Sequence, residues 1–368
     1  MSLAPHTKPQ SGDPAVKRVI LAIPGKLDTP TGGYIYDRLV VDGLRQSGWH
    51  VDVVSLGEGF PAPDEPTRQR ALDLLAALPH PCPVIIDGLA YGVMPEARKH
   101  LHPANPIIAL VHHPLALETG VSPERAHFLE ASETLALSFA VEVIVTSPST
   151  GRELVKNYNV DEKILTVICP GTERAAHFAL ITEKQTVRLL SVGAIVPRKG
   201  FITLVRALKE LAQLDWSLSI VGDPTRSADT TRELSLAIDQ AGLAQRVNLL
   251  GALTRPELDR LYSESDIFVL ASEHEGYGMA YAEAMAHGLP VIGTRAGAIP
   301  DTVPKDAGLL VEPGNVADLS QALKRLISDA ALRHRLAAGA RQVAATLPTW
   351  ADATRQFESV LERSIRSV

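Results

Sequence analysis

The stretch Leu270 to Gly293 reads L-A-S-E-H-E-G-Y-G-M-A-Y-A-E-A-M-A-H-G-L-P-V-I-G, and it decides the fold that the sequence predicts. The apolar run from Asp266 to Leu270 predicts a short buried strand, Gly278 to His287 predicts a helix rich in Ala and Met, and Leu289 to Gly293 predicts the next strand. Glu275 then lies in the loop beyond the carboxyl end of a strand, which is where open α/β sheets bind their ligands.

A second carboxylate, Glu283, follows eight positions later on the predicted helix. The backbone N–H groups of Tyr277, Gly278 and Met279 open this helix, and the N-terminus of a helix is a ready anion site. Two carboxylates can accept hydrogen bonds from hydroxyl groups while the helix amides hold a phosphate. The pattern therefore predicts a site for a sugar nucleotide. The alternative is a structural loop whose two glutamates are merely solvated.

The motif E-G-Y-G-x4-E-A-x-A-x-G-x-P-V-I within this stretch resembles the E-x7-E signature of retaining GT-B-fold glycosyltransferases of the large family 4, or group 1, type. The resemblance implies that Glu283 accepts hydrogen bonds from the ribose hydroxyls of a nucleotide. It implies that Glu275 contacts hydroxyls of the transferred sugar, and that Gly276 and its neighbours up to Met279 surround the donor. The resemblance is strong between residues 188 and 313 and weaker elsewhere.

A cationic segment, V-G-A-I-V-P-R-K-G, spans Val192 to Gly200. It is not a Walker A loop, because the spacing and the final Ser or Thr are absent. It resembles the family's diphosphate-binding segment G-x4-[KR]-K-G. Arg198 offers a planar fork and Lys199 a point charge, both suited to phosphate. Such cations in a cleft can stabilise a leaving diphosphate without a metal ion. The alternative is an ordinary pair of solvated cations at a helix start.

Two further glycine-containing segments follow predicted strands. Gly222 and Asp223, in I-V-G-D, resemble a third family segment and are expected to line the nucleotide pocket. In the first half of the chain, Gly32 and Gly33 end the loop after the first strand. Paired glycines let the backbone approach a phosphate or an acceptor, although a plain tight turn is the alternative.

Two histidines end a strand in I-I-A-L-V-H-H-P, at positions 112 and 113. A family histidine at this place faces the sugar and the reaction centre, so the resemblance makes His112 the first choice as a catalytic residue, with His113 the alternative. The two side chains cannot both face the cleft if the pleat of the strand persists through them. Ser147 also follows a strand, and we expect it to cap a helix.

The order of predicted elements defines the fold class. Short β-branched runs alternate with helical patterns in both halves of the chain, which indicates βαβ units and parallel sheets. We therefore predict an α/β protein with two Rossmann-like domains facing each other across a cleft, the GT-B fold. The expected divisions are a disordered tail (1–16), an acceptor-binding domain (17–182), a nucleotide-sugar-binding domain (183–348) and a C-terminal helix (349–368). The linker is placed at residues 173–186, and the resemblance implies that the last helix packs back on the first domain.

Composition excludes several classes of function. The 368 residues are 45% hydrophobic and 21% charged, with a net charge of −6 and no basic block, so a nucleic-acid partner is not indicated. Two cysteines suggest neither a disulfide framework nor a metal site. We see no signal peptide and no membrane-length apolar run, and no basic amphipathic helix is evident. We expect a cytoplasmic protein with at most peripheral contact with the inner face of the membrane.

Together the motifs predict a retaining, metal-independent glycosyltransferase. It would move a hexose from a UDP- or GDP-linked donor to a carbohydrate, lipid or small-molecule acceptor, without a cofactor. The resemblance implies front-face displacement assisted by the leaving phosphate. The same fold used as a sugar-phosphate synthase, phosphorylase or UDP-sugar epimerase is one alternative, and a catalytically silent sugar-nucleotide-binding module is another. A dinucleotide-dependent oxidoreductase is disfavoured, because no G-x-G-x-x-G joins a strand to a helix. Donor base, acceptor and oligomeric state stay open.

Overall fold

The computed structural model describes residues 17–118, 120–175, 178–179 and 186–366. The predicted tail, residues 1–16, lies outside these ranges. The predicted linker at 173–186 is described only in part, and the predicted domain boundary between residues 182 and 183 lies outside the described residues.

The first half of the chain forms a six-stranded sheet in the order β2-β1-β3-β4-β5-β6, with every neighbouring pair parallel. Four of its strands are almost entirely buried apolar runs, as expected for a parallel sheet covered on both faces. The strands are β1 Arg18–Ile23, β2 His50–Ser55, β3 Val84–Asp87, β4 Ile107–Val111, β5 Glu142–Val145 and β6 Leu165–Val167. The helices are α1 Gly32–Gln46, α2 Glu65–Ala76, α3 Gly88–Tyr91, α4 Ala97–His100, α5 Pro123–Leu137 and α6 Pro148–Asn157.

The second half forms another six-stranded parallel sheet, in the order β12-β11-β10-β7-β8-β9. Its strands are β7 Val187–Val192, β8 Trp216–Val221, β9 Val247–Leu249, β10 Ile267–Val269, β11 Val291–Thr294 and β12 Gly308–Val311. Its helices are α7 Phe201–Lys209, α8 Ala228–Gln240, α9 Arg255–Glu264, α10 Met279–Ala286, α11 Ile299–Thr302, α12 Val316–Ser328 and α13 Ala330–Ala344. The predicted fold class, two parallel Rossmann-like sheets, is confirmed.

The strand order fixes where ligands can enter. In the second sheet the chain runs from β7 outward to β8 and β9, then returns to β10 on the other side of β7. The order therefore reverses between β7 and β10, and in the first sheet it reverses between β1 and β3. Ligands of open α/β sheets bind at such reversals, outside the carboxyl ends of the strands. The loops that follow these four strands are thus the places to look for a site.

The last helix, α14 Trp350–Arg366, packs against α1 of the first domain. Its buried face, which includes Phe357, Val360 and Leu361, joins the core formed by one face of the first sheet and by α1. The two helices approach closely at Gly43, where a Cβ would collide with the hydroxyl of Thr354. No helix among the described residues is long and apolar enough to cross a membrane.

Candidate active site

Glu275 lies at the centre of a buried ionic cluster, in the loop that follows β10. Its side chain is 8% exposed. Lys199 Nζ donates to Oε1 at 2.6 Å, the hydroxyl of Ser272 donates to the same oxygen at 2.6 Å, and Arg198 Nη1 donates to Oε2 at 3.3 Å. Burial by itself would raise the pKa of this carboxyl, but the charges of Lys199 and Arg198 and the donated hydrogen bonds lower it to about 2. Glu275 is therefore ionised at any physiological pH.

The two cations of this cluster come from the turn between β7 and α7. A single 3-10 turn, Pro197–Lys199, ends at Gly200, whose φ of 66° is left-handed. A Cβ at Gly200 would also collide with the carbonyl of Ala271, so the position requires glycine to bring the turn against the end of β10. Burial lowers the pKa of Lys199, and Glu275 opposes this shift. Arg198 also donates to the carbonyl of His274 at 3.2 Å.

Glu283 forms a separate cluster on α10. Its two oxygens accept hydrogen bonds at 3.1 Å each, one from Arg255 Nη1 and one from the hydroxyl of Tyr262. Burial raises the pKa of Glu283, while Arg255 and Tyr262 act in the opposite direction. The side chain keeps 20% of its surface exposed, so a ligand can still reach it. Among the hydrogen bonds and ion pairs of the described residues, none links this cluster to Glu275.

The start of α10 lies between these clusters and the first domain. Gly278, with φ 91°, precedes the helix, and no side chain of the described residues caps its first amides. Gly276 packs so closely on the carbonyl of His112 that a Cβ there would collide with it. Met279 faces the first domain, with its sulfur 3.8 Å from the place of a Cβ on Gly32. Tyr277 is buried, and its carbonyl accepts from Thr302 at 2.6 Å. These contacts place the helix N-terminus at the interface of the two domains.

Gly222 and Asp223 follow β8 on the same edge of the second sheet. A Cβ at Gly222 would collide with the carbonyl of Gly193, so this glycine lets the ends of β7 and β8 approach each other. The carboxylate of Asp223 accepts locally from the amide and hydroxyl of Thr225, at 2.8 and 2.6 Å. These two residues therefore lie beside the cationic turn without joining the Glu275 cluster.

Gly32 and Gly33 lie at the first two positions of α1 in the first domain, not in a tight turn. The loop after the first strand therefore ends at Thr31, before the two glycines that were expected to end it. Gly33 lies above the ring of His112, with its Cβ position 3.5 Å from Nε2 and Cδ2. The amides that open α1 thus face the same region as the start of α10.

The two histidines lie just beyond β4, which ends at Val111, so the pleat does not continue through them. His112 turns into the first domain, where Nε2 lies 3.2 Å from Asp37 and 3.5 Å from Asp87. His113 turns toward the second domain, with Nε2 2.9 Å from Glu118 and its ring 5.7 Å from that of His274. Both side chains keep 19% of their surface exposed. His113 is thus the one beside the Arg198 turn, while His112 lies beneath Gly33.

A cavity of about 270 Å³ opens between the domains next to Glu275. Its wall is mostly hydroxyl, carboxylate and small apolar groups, from Pro114, Leu117, Ser149, Thr150, Glu153, His274, Glu275, Gly297 and Ala298. Beside the cavity, Arg152 pairs with both carboxylate oxygens of Asp301 at 2.8 and 3.0 Å, which joins α6 to α11. Ser147 caps α6 by accepting from the amide of Thr150, so its predicted role as a helix cap is confirmed.

Several site residues were not found from the sequence. Asp87 ends β3 and could have been found by the same strand-end rule that selected the histidines. Asp37 lies inside α1, where one polar residue in an amphipathic pattern gives no signal. Arg255 and Tyr262, on α9, reach Glu283 from 28 and 21 positions away, which no local pattern reveals.

The whole architecture is the GT-B fold. The chain is similar to sucrose-phosphate synthase from Thermosynechococcus elongatus, with a TM-score of 0.79 and 23% identity over 95% of this chain and 100% of that chain. It is also similar to a glycosyltransferase from Rickettsia africae, with a TM-score of 0.74 and 19% identity over 96% and 100% of the two chains. At these identities the likeness establishes the fold.

Sequence comparison adds a family match. Residues 172–343 match the family model of glycosyl transferases group 1. An MMP alpha-(1->4)-mannosyltransferase from Mycolicibacterium hassiacum is 26% identical over 84% of this chain and 77% of its own length. A D-inositol 3-phosphate glycosyltransferase from Corynebacterium diphtheriae is 28% identical over 59% of this chain, which spans 55% of that relative. The protein is thus a glycosyltransferase whose family match includes Arg198, Lys199, Glu275 and Glu283.

Proposed function

We propose that this chain is a retaining glycosyltransferase that needs no metal ion and moves a hexose from a UDP- or GDP-linked donor to an acceptor held against the first domain. The observation that carries the proposal is the cluster of Lys199, Arg198 and Glu275 at the strand reversal of the second sheet. Both cations contact the buried Glu275, and the more exposed Glu118 approaches Arg198 at 3.7 Å, so two cations are held in place there to receive an anionic ligand.

The two fixed cations fit the chemistry of a departing diphosphate. When the bond between the anomeric carbon and the β-phosphate oxygen breaks, negative charge grows on that oxygen. Lys199 and Arg198 are held by the protein before the reaction, so they can stabilise this charge without reorganising. In metal-dependent enzymes a divalent cation stabilises this negative charge. Here the two side chains can stabilise it instead.

For a retaining reaction, the state of Glu275 favours a front-face displacement over a double displacement through a covalent intermediate. Its carboxylate is nearly buried and engaged by Lys199, Arg198 and Ser272, which leaves it a weak nucleophile. A front-face displacement fits this arrangement. The acceptor hydroxyl attacks the anomeric carbon on the side from which the diphosphate leaves, and its proton passes to the departing phosphate oxygen. Glu275 then orients hydroxyls of the transferred sugar.

Glu283 fits the nucleotide end of the donor. Arg255 and Tyr262 fix both of its oxygens, and its remaining exposed surface lies on the helix that starts beside Glu275. Hydroxyl groups of a ribose can donate to such a fixed carboxylate. The cavity beside Glu275, with walls from α6 and from the segment that leads into α11, is the place we propose for the acceptor.

The test is a transfer assay with UDP-glucose, GDP-glucose, ADP-glucose and their mannose counterparts, each with and without EDTA. A panel of neutral sugars and sugar phosphates serves as acceptors, and NMR of the product gives the anomeric configuration. We expect one base to be preferred, with an α-linked product and no loss of rate in EDTA. An inverted product, or a rate that EDTA abolishes and a divalent cation restores, would refute the corresponding part of the proposal.

A further inference from the structure

Three groups meet beneath the start of α1 in an arrangement that the proposed function does not use. Asp37, on α1, is 1% exposed, and Asp87, at the end of β3, is 2% exposed. Nε2 of His112 lies 3.2 Å from one carboxylate and 3.5 Å from the other. The acids lie behind the ring, and the ring lies between them and the cleft.

The two carboxylates differ in how they are satisfied. Asp87 accepts a hydrogen bond from the amide of Leu89 through its other oxygen, at 2.8 Å. Neither oxygen of Asp37 accepts a well-aligned hydrogen bond from any described residue. A buried carboxylate without a donor is costly unless a positive charge compensates it. The cation within reach of Asp37 is the ring of His112 in its protonated form.

The described residues that pack on His112 from neighbouring elements are uncharged. Tyr36 of α1 packs edge-on against the ring at 5.4 Å, Thr146 after β5 donates to the backbone carbonyl of His112 at 3.0 Å, and Gly276 of the second domain lies against the same carbonyl. The charged groups that act on the ring are Asp37 and Asp87. Burial alone would lower the pKa of His112, but these two acids outweigh burial and raise it.

We propose that Asp37 and Asp87 are positioning residues that hold His112 as a charged imidazolium, so that the ring acts in the cleft as a hydrogen-bond donor to a substrate oxygen and not as a proton acceptor. The direction of the ring supports this role. Nε2 points at the acids, and Nδ1 makes no hydrogen bond with any described residue, so it is available to a ligand. A charged ring carries a proton on both nitrogens. The proposal deepens the proposed function and rests on it for the identity of the ligand.

The first test needs no substrate. Histidine labelled with ¹³C and ¹⁵N reports the charge of each ring by NMR, and the spectrum of His112→Gln identifies the signal of His112. We expect His112 to stay charged in the wild type up to at least about pH 8, well above the ordinary value near 6.5. In Asp37→Asn the ring should titrate at or below that ordinary value. A wild-type ring that is neutral at about pH 7 would overturn the proposal, whatever reaction the enzyme catalyses.

The second test uses activity, once a donor has been found. Asp37→Asn should lose at least about tenfold in kcat between pH 6 and pH 8, because its ring loses the donated proton in that range, while the wild type shows no such loss. The double variant Asp37→Asn/His112→Gln should match His112→Gln at every pH. Asp42→Asn, an exposed change on the same helix, is the matched control and should behave as the wild type.

A metal ion is the competing occupant of the cluster. The three ligand atoms lie within 4.8 Å of one another, the one such group among the described residues. Titration with Zn²⁺ and Mn²⁺, followed by metal analysis of the washed protein, distinguishes the two cases. We expect the washed protein to retain no metal ion. If the wild type retains one equivalent of metal and Asp37→Asn does not, the cluster is a metal site and the proposal of a charged ring is overturned.

Discussion

The two domains present inverse ionic clusters to the cleft. In the second domain one carboxylate, Glu275, lies between two cations, Arg198 and Lys199. In the first domain one imidazole, His112, lies in front of two carboxylates. In the second cluster Glu118, which is more exposed than Glu275, also approaches Arg198 at 3.7 Å, so the cations lie between carboxylates. In the first cluster the two acids are buried behind the ring. Under our proposals the second cluster acts on the charge of the substrate, and the first holds the ring that positions it.

The largest effect should come from removing a cation of the second cluster. Lys199→Ala should lower kcat by about 10²–10³-fold, since the loss of one preorganised group that stabilises developing negative charge costs that much. Steady-state kinetics with the preferred donor gives the value. Lys209→Ala, at the exposed end of α7, is the control and should keep full activity. Equal rates for Lys199→Ala and the wild type would mean that the second cluster does not act on the leaving group.

The carboxylate of this cluster should show its pairing in the pH dependence of stability. The pKa of Glu275 is lowered from 4.5 to about 2, so its contribution is present above the unfolded value and is lost as the pH falls toward 2. Urea unfolding at about pH 5 and about pH 3 should therefore show a smaller acid loss in Glu275→Gln than in the wild type. Glu273→Gln, exposed in the same loop, should lose as much stability as the wild type does. Parallel losses in all three proteins would argue against the ion pair.

Glu283 should affect donor binding more than turnover. Hydrogen bonds to a charged group contribute about 1.5–3 kcal/mol, so Glu283→Gln should raise the KM for the donor by about tenfold to a hundredfold, with a smaller change in kcat. Glu264→Gln, exposed at the end of α9, is the control. A fall in kcat with unchanged KM would place Glu283 at the reacting atoms and not at the ribose.

The smallest effect should come from the ion pair of Arg152 and Asp301, which joins the domains outside both clusters. The side chain of Arg152 is 64% exposed, and such surface pairs contribute about 0–1 kcal/mol. Arg152→Ala should change kcat/KM by less than about fivefold, as should Arg232→Ala, which breaks an exposed pair within α8. A much larger loss for Arg152→Ala alone would show that contact between the domains limits the reaction.

The sequence predicted the second cluster far better than the first, for a physical reason. The strands of a parallel sheet buried on both faces read as apolar runs, so the loops after them can be located, and Arg198 and Glu275 lie in such loops. Asp37 is a polar residue in the middle of α1, and its partner His112 lies 75 positions away, so only tertiary packing brings them together. Helix α13 was also missed, because a single residue, Asp329, separates it from α12 and caps it.

The glycine pair at the start of α1 is a second place where the local sequence did not predict the structure. Gly32 and Gly33 were predicted to end the loop after the first strand and to let the backbone approach a ligand, with a plain tight turn as the alternative. The structure places them at the first two positions of α1, where a Cβ on Gly33 would lie in ordinary contact with the ring of His112, at 3.5 Å. The two glycines therefore open a helix beside His112, and the local pattern did not predict this.

The packing of α14 on the first domain has a consequence for the order in which the chain can fold during synthesis. One side of the core that α14 joins is formed by its residues Phe357, Val360 and Leu361. Most of the other residues of this core belong to the first half of the chain and are synthesised long before α14. While the ribosome adds residues 187–344, all strands and helices of the second domain become available, but the first sheet still lacks the helix that covers it. The second domain can therefore complete its core first, the reverse of the usual order in which the N-terminal unit leads.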